Sequence, residues 1–152
     1  MPHDSSPSWI RPARNVLGIV AGCVSFPVLV TLGHGLFASA GVSQAPTVSP
    51  QVAPEIWQAF MESLSVSELL SASAAHWGGT FLAAAALATL ISASPKPTSG
   101  WVLGGFGLLG GAMNAFMLPG QPTWLMILDV ALYMPMGWLG AMLVLRLKGP
   151  NV

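Results

Sequence analysis

The chain has 152 residues, of which 53% are apolar and only 7% carry a formal charge. A soluble domain usually has about 25% charged residues, so this composition excludes an ordinary water-facing surface. Its five basic and five acidic side chains balance, which removes the global field that would draw nucleic acid. The apolar residues fall in long uninterrupted runs, and a hydrocarbon core of about 30 Å needs about 20 such residues in a helix.

Four runs meet that length: 16–37, 72–91, 101–118 and 123–147. The expected fold is all-α, an integral membrane four-helix bundle that occupies 1–152 as a single membrane domain. The first run follows Arg11 and Arg14 and contains Cys23, the single cysteine of the chain, so intramolecular disulfides and cysteine-cluster zinc sites are excluded. Gly18 and Gly22 have small-xxx-small spacing, and Pro27 predicts a kink. A competing reading takes residues 1–40 as a cleaved signal peptide, with Ala38-Ser39-Ala40 as the cleavage site. Against it, the apolar stretch of about 22 residues exceeds the usual 7–15 of a signal segment.

An outer loop over 38–70 follows. Within it Ile56, Trp57, Phe60, Met61 and Leu64 recur at helical spacing, opposite Glu55, Gln58 and Glu62. This predicts a short amphipathic helix over 54–64, started by Pro54 and lying on the membrane or across the bundle mouth. Ser65 and Glu68 have capping-box spacing, so the next helix is expected to begin there. The segment from Ser94 to Gly100 then makes a turn, and Pro119-Gly120-Gln121-Pro122 makes another, which forces the last two spans to be antiparallel neighbours. In the third span Gly100, Gly104, Gly107 and Gly111 form a groove, and Gly137 with Ala141 repeats the pattern in the fourth, beyond the proline Pro135. These glycines read as helix packing surfaces, either within the bundle or in an oligomer.

Arg11, Arg14, Lys96, Arg146 and Lys148 all flank the runs on one side of a four-span arrangement, whereas Glu55, Glu62 and Glu68 lie on the other. Cytoplasmic loops retain lysine and arginine, so both termini are expected inside the cell membrane.

Ionisable groups inside hydrocarbon are costly and mark functional hypotheses. Counting inward at 1.5 Å per residue puts His34, His76, Asn114 and Asp129 at a shared depth of roughly 5–9 Å on the outer side. Tyr133 lies one turn beyond Asp129. Three readings stay open. In the first, Asp129 pairs with a histidine and the cluster fixes helix register. In the second it is a proton or small-solute site. The third is a metal site of His34, His76 and Asp129. There is no HExxH, phosphate loop or nucleophile elbow, so no catalytic residue and no cofactor is expected.

Leu32-Gly33-His34, a Pro-rich outer loop with a Trp-containing helix, a small-residue start to the second span, Asn114, Pro119, Pro122, Trp124, Pro135 and Gly140 together resemble a family of small four-helix bacterial inner-membrane proteins. The resemblance implies a topology and an inner-membrane location, with no catalytic role. The function expected from these readings is a non-enzymatic structural or accessory subunit, partnered by lipid, by further copies or by a larger membrane complex. The alternative is a small proton-coupled or solute transporter that uses the outer polar cluster.

Overall fold

A computed structural model describes residues 9–43, 53–93, 96–117 and 119–149. Among them are five α-helices: α1 Ile10–Ser39, α2 Pro54–Ser63, α3 Val66–Leu82, α4 Thr98–Met117 and α5 Thr123–Lys148. A π-helical segment, Ala83–Thr89, continues α3 without a break, so residues 66–91 form one rod. Three helices, α1, α4 and α5, are long and apolar enough to cross a membrane. The protein is therefore a helical membrane protein with several candidate spans.

Sequence and structure differ at specific places. α1 starts earlier than the apolar run 16–37, because Arg11 and Arg14 join its first turns. α3 ends at Leu82, where the expected span 72–91 passes into π geometry. Leu118, assigned to the third span, and Ser94 and Pro95, assigned to a turn, lie outside the described residues, as do parts of the outer loop and of the stretch 1–40.

Local chemistry accounts for the helix ends. Pro54 occupies the first turn of α2, where its missing N–H costs nothing, and Glu55 beside it complements the positive helix end. The capping box at α3 forms as the spacing implies: Ser65 N–H donates to Glu68 Oε2 at 2.8 Å, and Glu68 N–H donates to Ser65 Oγ at 3.4 Å. α5 carries Arg146 and Lys148 in its last turn, where cations oppose the negative helix end, and Gly149 with φ +79° turns the chain away.

Consecutive rods run antiparallel, with α4 packed most extensively against α5. Glycines permit that approach. A Cβ on Gly100 would strike the Gly137 carbonyl, and one on Gly104 would come within 3.0 Å of Met134 Cα. Gly18 and Gly22 of α1 face Ala88 in the alanine-rich π segment, and Leu103 fills the space beside them. All the glycines expected as packing surfaces thus meet this chain's own helices. Gly140, which was not among them, lies against the Phe81 carbonyl. The opposite character marks the outer face of α1. Val16, Val20, Val24, Val28, Leu32 and Leu36 recur at every fourth residue and are all exposed, as a lipid-facing stripe requires.

At the end where α1 begins, three side chains from α1 and α5 close the carboxyl end of the α3 rod. Lys148 Nζ donates to the carbonyls of Thr89, Leu90 and Ser92 at 2.6, 3.1 and 3.3 Å. Arg14 Nε donates to the Ile91 carbonyl, while Asn15 Oδ1 accepts from Ser92 Oγ and the Ala93 N–H. The last carbonyls of a helix generally have no partner within it, which is the need these side chains meet. Lys148→Met is expected to lower stability by about 1–2 kcal/mol through the loss of these charge-assisted bonds, a change that thermal unfolding in detergent measures.

Candidate functional site

The polar residues assembled from the sequence lie at the other end, beneath α2. α2 crosses that end with its apolar face inward: Met61 packs with Leu69 of α3 and Leu125 of α5, and Trp57, Phe60 and Leu64 close around them. A Cβ added at Gly120, whose φ is +85°, would come within 3.1 Å of the Gln58 backbone, so the α4–α5 turn passes close beside α2. α2 thus packs its apolar side against α3 and α5.

α1 and α3 bring His34 and His76 together, with Nε2 atoms 3.4 Å apart and rings at 85°. One ring donates and the other accepts. The close passage of these helices has a local cause, since Gly33 accepts Ala75 against its backbone and Gly79 accepts Val30.

Asp129 does not pair with a histidine. Its Oδ2 accepts from the Tyr133 hydroxyl at 3.3 Å, its backbone carbonyl accepts from Trp77 Nε1 at 3.3 Å, and Ser73 lies beside the carboxylate. Rotation about the helix axis decides this: residues 129 and 133 share one face of α5, and Trp77 and Ser73 share the facing side of α3. Tyr133 is 2% exposed, with its ring set in the groove formed by Gly107 and Gly111. Among the described residues no group of three His, Cys, Asp or Glu is placed to hold a metal ion.

Between α2 and the rods is a cavity of about 370 Å³. His34, Glu68, His76, Asn114 and Asp129 line it, together with Trp57 and Phe60 from the roof. Two buried polar atoms among the described residues have no hydrogen-bond partner, Trp57 Nε1 and Asp129 Oδ1, and both residues belong to this wall. A buried unpaired polar group costs about 1–3 kcal/mol, more when charged, so two in one place require an explanation. Lysine and arginine are absent from the described lining.

A second cavity of about 250 Å³ lies between α1 and α4 and shares His76 and Asn114 with the first. Its walls are largely apolar, from Phe26, Pro27 and Val30 on one side and Gly107, Gly110 and Gly111 on the other. Tyr133 also lines it. Asn114 is exposed at the edge where the cavities meet.

Sequence reasoning identified four of the polar residues around the first cavity, His34, His76, Asn114 and Asp129. It missed Trp57, Ser73 and Trp77 as their neighbours. Trp57 was legible as part of the inward face of α2, but only the placement of α2 over the rods reveals what that face covers.

Comparison with known proteins finds no family, no curated protein and no solved structure that matches this chain.

Proposed function

We propose that this chain crosses the inner membrane four times as a helical bundle, with both termini in the cytoplasm, and binds a small solute in the outward-facing cavity beneath α2. The carrying observation is that two residues lining one cavity, Trp57 and Asp129, each hold a buried polar atom without a hydrogen-bond partner. A cluster that served helix register alone would have its hydrogen bonds completed within the protein. A carrier or solute-binding subunit is the class this favours. The α3 rod supplies the fourth crossing, and the basic groups Arg14 and Lys148 at its far end support the orientation through their preference for the cytoplasmic side. The competing reading, a packing or accessory subunit, draws on the glycine faces, and those are occupied by this chain's own helices.

Two measurements test the proposal. A single cysteine introduced by Glu55→Cys in a Cys23→Ala background should react with an impermeant maleimide added outside cells, whereas Lys96→Cys should react only after lysis. The reverse pattern overturns the orientation. Protein purified in mild detergent should carry a small molecule, detectable by mass spectrometry, that is depleted in Trp57→Phe and Asp129→Asn. Recovery of folded protein with no such molecule, from cells and after incubation with a metabolite extract, would return the cluster to a structural role.

A further inference from the structure

Two cavities that share His76 and Asn114 have opposite characters. The one beneath α2 carries two carboxylates, Glu68 and Asp129, and no lysine or arginine among its described lining. Asp129 Oδ1 adds an acceptor without a donor, and Trp57 with Phe60 supplies aromatic faces, their rings 5.7 Å apart. Anions are disfavoured there, whereas an ammonium group gains from both the carboxylate and the rings. The other cavity is an apolar cleft between α1 and α4, two helices that touch only sparingly. In a membrane this cleft faces lipid tails, and Gly110 on its wall has open space in front of it.

Resting on the solute-site reading above, we infer that the two cavities form one site for an amphiphilic amine. A protonated primary amine sits against Asp129, and a single unbranched alkyl chain runs past His76 into the α1–α4 cleft. The carboxylate selects a head that donates hydrogen bonds. Asn114 and His76 mark the change from head to chain. The same head chemistry occurs in free long-chain amines and in the ethanolamine headgroup of a phospholipid.

The test uses the full chain in detergent, with octylamine, octanoate, octyltrimethylammonium and butylamine as probes, and native mass spectrometry to count bound molecules. Octylamine should bind about tenfold more tightly than octanoate or octyltrimethylammonium, the change expected when one charge-assisted hydrogen bond is lost. Asp129→Asn should remove that preference. Gly110→Leu, whose side chain enters open space, should weaken octylamine about tenfold and leave butylamine unchanged, and it keeps the proposal testable if the Asp129 variant does not fold. Equal binding of octanoate and octylamine would overturn the charge assignment. If butylamine bound as tightly as octylamine, the solute site would stand and the amphiphile inference would fall. If no amine bound, the inference would fall, and the copurified molecule would decide the broader reading. Competition between octylamine and phosphatidylethanolamine, tested in nanodiscs with and without that lipid, would identify the headgroup as the source of the amine. Its absence would identify a free amine.

Discussion

Gly137→Leu is expected to abolish recovery of a folded, monodisperse protein, or to destabilise it by about 3 kcal/mol or more. The cause is geometric. A Cβ at Gly137 would meet the Gly100 carbonyl, with Gly104 N at 2.8 Å and Gly104 Cα at 2.9 Å. Those are main-chain atoms of a helix, so no rotamer change can make room, and α4 and α5 would have to move apart along their most extensive contact. Within a membrane there is little hydrophobic gain between helices to compensate, because lipid tails solvate a leucine as well as a neighbouring helix does. Gly105→Leu provides the control, since nothing lies within 4 Å of its added Cβ. The measurement is the size-exclusion profile and thermal unfolding of both variants in one detergent. Equal behaviour of the two would contradict the described α4–α5 interface.

Gly111→Leu should cost a similar amount by a different route. Its Cβ would collide with the Tyr133 ring, which also occupies the space over Gly107. Displacing the ring removes the hydroxyl from Asp129 Oδ2 and leaves a carboxylate with one of its oxygens already unpartnered still less satisfied. The cost should therefore depend on the tyrosine. In a Tyr133→Ala background, Gly111→Leu should cost less by about 1–3 kcal/mol, the coupling expected of residues in contact. Additive losses in a double-mutant cycle of thermal stabilities would show that the ring does not transmit the effect.

Much of this fold was legible because the signals are local. Long apolar runs define α1, α4 and α5; the Ser65–Glu68 spacing marks the start of α3, and Pro54 with the Trp57–Met61 periodicity marks α2. The common depth expected for His34, His76 and Asp129 rested on rise per residue along the helices, and all three line one cavity. Their pairing did not follow. Whether Asp129 meets a histidine or Tyr133 depends on how far each helix is turned about its own axis, and rise along the axis contains no such information. The π segment was hidden for a related reason: a run of alanines suits a regular helix equally well, and only the approach of Gly18 and Gly140 from two sides sets it apart. Lys148 read simply as a marker of sidedness, whereas its bonds to three carbonyls depend on the neighbouring rod ending beside it.

The π-helical turns of Ala83–Thr89 have a consequence for how the rod can vary. A π-bulge is in effect one surplus residue accommodated in an α-helix, and each residue of an α-helix advances its neighbours by about 100° around the axis. Excising a single alanine there would restore ordinary winding and nearly keep the phase of everything upstream, His76 included, whereas winding the same residues as plain α-helix would swing it by about a quarter turn or more relative to the anchored carboxyl end. The phase between the two ends of this rod is thus set by how one alanine tract is wound, and the burial of Ala83, Ala84 and Ala88 leaves no room there for larger side chains.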